Sequence, residues 1–324
     1  MLKRMSTCLR EYLVSMNTTD KIYVAGHNGL VGSAIVRALR SQGYKNTILQ
    51  TRRELDLTDE FNVSAFFRKE KPDYVFLAAA KVGGIKANIT SPVPFLEDNL
   101  KIQNNIIKSS YQNKVKKLLF LGSACIYPTK CEQPIREEHL LSGPLEPTNE
   151  CYSVAKIAGI RLCQAYNKQH GCNFISAQPS NVYGPKDNYH PEDSHVIAGL
   201  IGRFHEAKEN EIEEVECWGT GRARREFIYV DDLADALIFL MNNYDDPEII
   251  NVGVGRDISI KELVALLVDV LEYHGKVTWD ESKPEGMLQR LLDNTKLRNL
   301  GWTPKTSLEE GLNLAYKYFK LTEV

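Results

Sequence analysis

The stretch "KIYVAGHNGLVGSAIVRALRSQG", residues 21–43, decides the fold of this chain. A short apolar run leads into a glycine-rich turn, and an amphipathic helix follows and ends at Gly43. Gly26 permits the tight turn, Gly29 lets the backbone approach a pyrophosphate, and Gly32 lets helix and strand pack closely. The first N–H groups of the helix can then bind phosphate oxygens. The stretch therefore predicts a dinucleotide-binding strand–turn–helix unit at the start of the fold.

Strands and helices alternate in the sequence that follows this unit. The strands are predicted at residues 46–50, 73–80, 116–123 and 173–181, and the helices at 57–72, 92–113 and 151–171. The strands are continuously apolar, as expected when helices cover both faces of a parallel sheet. This alternation predicts an α/β fold with a Rossmann-type, doubly wound parallel sheet.

Three regions follow from the pattern. Residues 1–20 are basic, contain Ser and Thr, and are predicted to be a disordered N-terminal extension. Residues 21–178 are predicted to form the Rossmann domain that binds the dinucleotide. From residue 179 the loops lengthen and charge increases, which predicts a smaller C-terminal α/β substrate domain over residues 179–324. The boundary between the last two regions is soft, because such folds often pass strands back and forth.

Composition excludes several classes of function. The 324 residues include 42 acidic and 40 basic side chains, so the net charge of −2 gives no reason to expect nucleic acid or a membrane surface as partner. No apolar run approaches the roughly 20 residues that span a bilayer. The 7 cysteines are scattered without a CxxC pair, which predicts reduced thiols in a cytoplasmic protein and no metal site.

The end of the second predicted strand bears on the choice of cofactor. Sites for NAD usually place a carboxylate about 20 residues beyond the glycine turn, where it binds the ribose 2′-hydroxyl. Here the strand runs into "ILQTRREL", and Arg52 and Arg53 precede any carboxylate. A guanidinium binds a 2′-phosphate that a carboxylate would repel, so the sequence favours NADP over NAD. Two solvated loop arginines are the alternative, and Asp56 is placed to accept from the adenine amino group.

A Ser–Tyr–Lys set is the strongest catalytic signal. In "CYSVAK", Tyr152 and Lys156 lie at i and i+4 on one face of a predicted helix. An ammonium beside a phenol is expected to lower the phenol pKa, and Ser123 would share the hydrogen bond to a substrate carbonyl. Taken alone, the pair could belong to an amphipathic surface helix. Cys125, two residues beyond Ser123, is either a second reactive group or a buried packing thiol.

Together these motifs resemble the extended short-chain dehydrogenase/reductase family of nucleotide-sugar enzymes. The residues that carry the resemblance are "AGHNGLVGSAI", "LAAAKVGGI", "LFLGSACIYP", "LEPTNECYSVAKIAGI", "YGPKDNYHPEDSHVI", "RREFIYVDD" and "INVG". The resemblance is stronger to bifunctional members that epimerise C3 and C5 of GDP-4-keto-6-deoxy-D-mannose and then reduce its C4 ketone. It implies an NADP(H)-dependent enzyme that forms a homodimer, and it runs from about residue 21 to the C-terminus.

The resemblance also assigns roles to residues. Inverting a carbon requires a base on one face and an acid on the other, and Cys125 and His195 match the family positions for that pair. Tyr152, Lys156 and Ser123 complete the catalytic set. The implied substrate contacts are Arg203, Trp218, Arg225 and Glu285. The implied cofactor contacts are Gly26, His27, Asn28, Gly29, Leu30, Val31, Gly32, Arg52, Asp56, Leu121, Gly122, Lys156, Pro179, Ser180, Asn181, Val182 and His195.

Two positions depart from the family pattern. Related sequences carry a basic residue where this chain has Asn28, which weakens the expected contact with a 2′-phosphate. They carry Asp where this chain has Glu285, so a carboxylate is kept with altered reach.

Two other functions are compatible with a dinucleotide-binding fold. A 4-epimerase or dehydratase with tightly bound NAD is one, but such dehydratases carry an Asp-Glu pair just after the serine, and here Ala124 and Cys125 occupy those positions. A catalytically silent dinucleotide-binding regulator is the other. It predicts loss of Tyr152 or Lys156, and both are present.

Overall fold

The computed structural model describes residues 15–190, 194–282 and 287–322. Its strands are β1 (Ile22–Ala25), β2 (Thr47–Ile48), β3 (Tyr74–Leu77), β4 (Lys117–Leu121), β5 (Phe174–Pro179), β6 (Asn181–Tyr183), β7 (Glu214–Trp218), β8 (Arg224–Arg225), β9 (Phe227–Tyr229), β10 (Ile250–Val252), β11 (Ile258–Ser259), β12 (Lys276–Asp280) and β13 (Gln289–Arg290). Its helices are α1 (Leu30–Ser41), α2 (Glu60–Glu70), α3 (Ile85–Thr90), α4 (Pro92–Gln112), α5 (Glu150–His170), α6 (Val196–Glu209), α7 (Val230–Asn243), α8 (Ile260–Leu271), α9 (Thr295–Asn299) and α10 (Leu308–Thr322).

Six parallel strands form the central sheet in the order β10-β5-β4-β3-β1-β2. The chain moves outward from β1 to β2 and then returns to the other side of β1 with β3. Sheets of this kind bind ligands outside the carboxyl ends of the strands, at the point where the strand order reverses. The predicted α/β, doubly wound fold is confirmed, and the site is expected beyond Ala25 and Leu77, which pair with each other at the ends of β1 and β3.

Helices cover both faces of the sheet because its strands are buried on both sides. One face packs against α1 and α7, through residues such as Leu39 and Leu237. The other face packs against α2, α4 and α5, where Phe67, Ile106 and Ile160 are all fully buried. Each such side chain removed from water contributes about 1.5–3 kcal/mol, so these two layers hold the sheet rigid beneath its carboxyl edge.

The chain returns to the central sheet after leaving it. Strand β10 and helix α7 both come from beyond residue 179, yet β10 pairs with β5 and α7 packs on α1.

Residues 15–20, placed in the predicted extension, also contact this layer. Met16 is 7% exposed and its N–H donates to the side chain of Asn242. Lys116 binds the carboxylates of Asp20 and Asp73.

The remaining elements form a smaller α/β region beside the carboxyl edge. Helices α6, α8 and α10 surround a second apolar core with Phe204 and Leu267 at its centre. Strand β8 lies between β11 and β13 in a small sheet, and β7 pairs with β12. Glu226, 1% exposed, accepts from the N–H groups of Gly255 at 2.7 Å and Leu292 at 2.9 Å. Burial raises the pKa of Glu226 to about 7.

Candidate active site

The glycine turn is closely packed. Gly26 has a φ of +87°, and a side chain there would lie 2.7 Å from the Ala79 nitrogen. A Cβ at Gly32 would lie 2.1 Å from the carbonyl oxygen of Gly26. Gly29 is the N-cap residue that precedes α1, so no side chain caps the helix, and a Cβ there would have one neighbour within 4 Å, at 3.5 Å. The first turn of α1 therefore faces the carboxyl edge with N–H groups available to an anion.

The loop after β2 contacts this turn through His27. The His27 ring hydrogen-bonds the backbone of Gln50, and burial lowers the pKa of His27. Asn28 and Arg52 are exposed. Asp56 accepts from the backbone N–H of Thr58 at 2.9 Å and from its hydroxyl at 2.8 Å, and these bonds lower the pKa of the Asp56 carboxyl.

Several buried polar atoms at the carboxyl edge fit a polar ligand. Nδ1 of His27, Nε2 of Gln178, Oγ of Ser180 and Oδ2 of Asp187 are buried without a hydrogen-bond partner among the described residues. Such groups are rare in folded proteins unless a ligand or water satisfies them. Together with the open glycine turn, they show that the residues present suit a dinucleotide. The other predicted cofactor contacts occupy the same edge: Leu30, Val31, Leu121, Pro179, Asn181 and Val182.

Ser123, Tyr152 and Lys156 come together where β4 ends and α5 begins. The Lys156 ammonium donates to the carbonyl of Leu121 at 2.8 Å and lies 5.7 Å from the centroid of the Tyr152 ring. The Ser123 hydroxyl is hydrogen-bonded to the Tyr152 phenol. The loop is held by the Gln178 side chain, which accepts from the Ser123 N–H at 3.0 Å. A Cβ at Gly122 would collide with that same side chain, so glycine is required there.

The electrostatics of this cluster differ from the sequence expectation. Burial lowers the pKa of Lys156 to about 7. Burial, and then the charge of Cys125, raise the pKa of Tyr152 well above its usual range, while the bond to Ser123 opposes that change. The expectation that Lys156 lowers the phenol pKa is wrong for this structure, because burial of the phenol raises its pKa. Tyr152 is a neutral phenol at pH 7 and is suited to donate a proton.

Cys125 is half-buried beside this cluster and is contacted by two N–H donors. Its sulfur accepts from Nδ2 of Asn149 and from Nη1 of Arg290, both at 3.5 Å. Its backbone N–H donates to Oγ of Ser123 at 3.2 Å, and its carbonyl accepts from the Ser153 hydroxyl at 2.9 Å. The thiol is thus held in a polar setting rather than packed in a core.

His195 is the residue that precedes the first turn of α6. Its Nδ1 is 3.6 Å from Oδ1 of Asp187, and this interaction raises the pKa of His195 against the opposing effect of burial. Within the described residues, no hydrogen bond or ion pair joins His195 to Cys125 or Tyr152. The sequence predicted His195 but not Asp187.

The predicted substrate contacts lie in the smaller region. Arg203, on α6, donates to the carbonyl of Glu216 at 3.0 Å and helps to line a cleft of about 690 Å³. Trp218 ends β7 and is 60% exposed. Arg225 lies on β8 and donates to the carbonyl of Arg224 at 2.8 Å. The fourth predicted contact, Glu285, lies outside the described residues.

Gln178, Asn149, Asp187 and Arg290 were missed by sequence reasoning. Gln178 could have been found from the sequence, since it is a polar residue inside an otherwise apolar strand. Asn149 could also have been found, because it directly precedes the predicted helix. Arg290 gave none, because a single arginine in "LQRLLD" is typical of a surface strand.

Among the described residues, no group of three or more His, Cys, Asp or Glu side chains is arranged to hold a metal ion. Nor does that part of the chain contain a helix with the length and apolar character needed to cross a membrane.

Comparison with known proteins identifies the relatives of this chain. Residues 22–253 match the model of the NAD dependent epimerase/dehydratase family. GDP-L-fucose synthase 1 of Arabidopsis thaliana is 56% identical over 299 residues, covering 92% of this chain and 93% of that protein. GDP-L-fucose synthase of Escherichia coli (strain K12) is 49% identical over 309 residues, covering 93% and 96%. The solved structure of a GDP-mannoheptose C4 reductase from Campylobacter jejuni with NADP bound is 40% identical, with a TM-score of 0.88 and coverage of 94% and 100%.

Proposed function

The chain belongs to the NAD dependent epimerase/dehydratase family, and on that premise we propose that it converts GDP-4-keto-6-deoxy-D-mannose to GDP-L-fucose. The reaction comprises epimerisation at C3 and C5 followed by NADPH-dependent reduction at C4. The protein is accordingly an oxidoreductase that also has isomerase activity. Relatives named GDP-L-fucose synthase match it over nearly its whole length.

The observation that carries this proposal is the position of Cys125. A reductase of this fold needs only the Ser–Tyr–Lys set, but here a half-buried thiol lies beside it and adjoins the same phenol. An additional group capable of proton transfer is what epimerisation next to a ketone requires.

Epimerisation begins when the C4 carbonyl accepts hydrogen bonds from Tyr152 and Ser123. The Cys125 thiolate removes the proton from the neighbouring carbon, and the electrons of that C–H bond move to the C4 oxygen as an enolate. The two hydroxyls stabilise this charge, an effect typically worth 10²–10³-fold in rate for each donor. His195 then gives a proton to the opposite face of the same carbon. Its raised pKa, caused by Asp187, favours the protonated form that this role needs.

Reduction uses the same hydrogen bonds to the C4 oxygen. Bound NADPH would supply the hydride that adds to C4. Tyr152 donates its phenol proton to the C4 oxygen as negative charge develops there, and Ser123 holds that oxygen in place. Lys156, whose pKa burial lowers to about 7, sits beneath the phenol ring and favours its transient negative charge when protonated. Because Tyr152 faces one oxygen throughout, one binding orientation serves both steps.

The direct test is incubation of the protein with GDP-4-keto-6-deoxy-D-mannose and NADPH, with the product identified by NMR. GDP-L-fucose is expected, together with oxidation of one NADPH for each product molecule. Formation of GDP-D-rhamnose, the product of reduction without epimerisation, would contradict the proposal.

A second candidate is reduction of another GDP-linked 4-keto sugar. It is favoured by the 40% identity to the Campylobacter jejuni reductase, which acts at C4 of a GDP-mannoheptose according to its name. Comparing kcat/KM for the 6-deoxy and heptose substrates decides between the two, and we expect the 6-deoxy sugar to be preferred.

We further propose that NADPH is used in preference to NADH, with Arg52 contacting the 2′-phosphate. A charged hydrogen bond of this kind contributes about 1.5–3 kcal/mol, so Arg52→Ala should lower kcat/KM for NADPH about 10–100-fold and leave that for NADH nearly unchanged. Arg53→Ala is the matched control, because it removes the neighbouring exposed guanidinium. An equal loss of kcat/KM with NADPH and with NADH would show that Arg52 does not contact the 2′-phosphate.

We also propose that the protein is a homodimer in the cytoplasm. Helices α4 and α5 pack together and present Val93, 65% exposed, and Val154, 42% exposed, on their outer surfaces. Exposed apolar residues on adjoining helices suit a contact with a second copy. Sedimentation equilibrium should give twice the chain mass of 36.7 kDa. A monomer at micromolar concentration would contradict this part of the proposal.

A further inference from the structure

We propose that Arg290 is a positioning residue that keeps the Cys125 side chain charged and directed for proton abstraction. The inference rests on the proposed role of Cys125 and adds a residue to which neither the motifs nor the resemblance gave a role. It concerns how a thiol, ordinarily uncharged near neutral pH, becomes a base.

The contact itself is the first observation. Nη1 of Arg290 lies 3.5 Å from the Cys125 sulfur, and Nδ2 of Asn149 lies at the same distance. Two N–H donors converge on one sulfur, an arrangement that suits a thiolate, which accepts hydrogen bonds better than a thiol. The Ser153 hydroxyl has two acceptors for its one proton, Oδ1 of Asn149 at 3.2 Å and the Cys125 carbonyl at 2.9 Å. The amide is therefore held in the orientation that donates to sulfur.

The fold fixes Arg290 from both sides, so the contact does not depend on a loose side chain. Strand β13 pairs with β8, and the Arg290 carbonyl accepts from the N–H of Glu226 at 3.3 Å. The next residue, Leu291, exchanges hydrogen bonds with the segment that follows Cys125: its N–H donates to Gln133 and its carbonyl accepts from Ile135. Nη2 of Arg290 donates to the sulfur of Met287 at 2.8 Å, which fixes the second arm of the guanidinium.

Among the described residues, the ionisable groups shown to interact with the Cys125 sulfur are the Arg290 guanidinium and the Tyr152 phenol. The phenol is neutral, so the guanidinium is the formal charge that contacts the sulfur. In the reaction, the thiolate takes the substrate proton and becomes a thiol while the C–H electron pair moves to the C4 oxygen. The thiol then loses that proton to solvent before the second carbon is inverted, and Arg290 stabilises the charge that is restored.

The test compares the full-length protein with Arg290→Met and Arg290→Lys by iodoacetamide labelling of Cys125, followed by peptide mass spectrometry across pH. An opposite charge within about 4–6 Å shifts such an equilibrium by one unit or more, so Arg290→Met should slow labelling at pH 7 about tenfold and leave the rate at pH 10 unchanged. Arg290→Lys should restore most of the rate. Labelling of Cys172, a thiol whose pKa is raised by burial alone, serves as the internal reference. Arg298→Met is the matched control, since it removes an exposed arginine from the neighbouring helix α9.

The same variants are then assayed with substrate. We expect Arg290→Met to lower kcat for exchange of the C3 and C5 protons with D₂O about tenfold, with recovery at higher pH. A raised KM with unchanged kcat and unchanged labelling would overturn the proposal and make Arg290 a substrate contact. Unchanged labelling in all variants would overturn it as well. If Cys125→Ser retained exchange while Arg290→Met still slowed labelling, the proposed function of Cys125 would fail and the effect of Arg290 on the thiol would stand.

Discussion

Cys125→Ser is expected to slow exchange of the substrate C3 and C5 protons with D₂O by about 10²–10⁴-fold, the usual contribution of a positioned acid–base group. A serine hydroxyl remains protonated at any working pH, so it cannot replace the thiolate as a base. Reduction of a substrate that has already been epimerised should continue at near the normal rate, because Tyr152, Ser123 and Lys156 are untouched. The measurement is NMR of deuterium incorporation without NADPH, followed by NADPH oxidation with the epimerised intermediate.

Cys131→Ser is the matched control for that experiment. Cys131 follows Cys125 by six residues and is also half-buried, but its sulfur contacts the carbonyl of Pro128. This variant should exchange protons normally. Unchanged exchange in Cys125→Ser would reduce that cysteine to a structural thiol and leave the base unassigned.

Tyr152→Phe should lower the rate of both steps about 10³-fold with little change in KM for either substrate. In the proposed mechanism the phenol donates to the C4 oxygen in the enolate and again during reduction. Removal of a single oxyanion donor costs about 10²–10³-fold before loss of the donated proton is included. Phenylalanine keeps the ring that packs edge-on against Phe95, so thermal stability should be kept. Steady-state kinetics and a thermal melt of the same preparation check both parts.

Tyr166→Phe, on the same helix, is the appropriate comparison because Tyr166 packs against Tyr111 and Phe174, remote from Ser123. It should retain full activity. A Tyr152→Phe enzyme that lost reduction but kept proton exchange would show that another group stabilises the enolate, and the single-orientation mechanism would have to be abandoned.

The fold was predictable to the extent that it depends on local pattern. Continuous apolar runs between amphipathic helices specified the parallel sheet, and β1, β4, α1 and α5 lie where they were expected. The pairings between two-residue strands were not predictable. Strand β13 has two residues and pairs with β8, 65 positions earlier in the chain (Gln289 with Arg224), so no periodicity marks it. Helix α3 was missed because its six residues are too few to show a helical pattern.

Site residues were likewise predictable where local spacing fixes them and unpredictable where they depend on contacts between distant segments. Gly26, Gly32, Tyr152 and Lys156 were recognised because their spacing along one segment fixes their geometry. Arg290 was not, because its position beside the thiol depends on a strand pairing between distant segments. The pKa of Tyr152 was predicted with the wrong sign for a related reason. A spacing of i, i+4 shows that the ammonium is near the phenol, but it does not show how far the fold shields the two groups from solvent.

The return of β10 to the central sheet limits how this enzyme can diversify. Val252, at the end of β10, accepts a hydrogen bond from Ser180, and α7 supplies part of the layer under α1. A cut between residues 178 and 179 would leave the first segment without an edge strand and a covering helix. The two regions are therefore not exchangeable modules. Replacing residues 179–324 with the matching region of another protein would therefore also replace an edge strand and a covering helix of the central sheet.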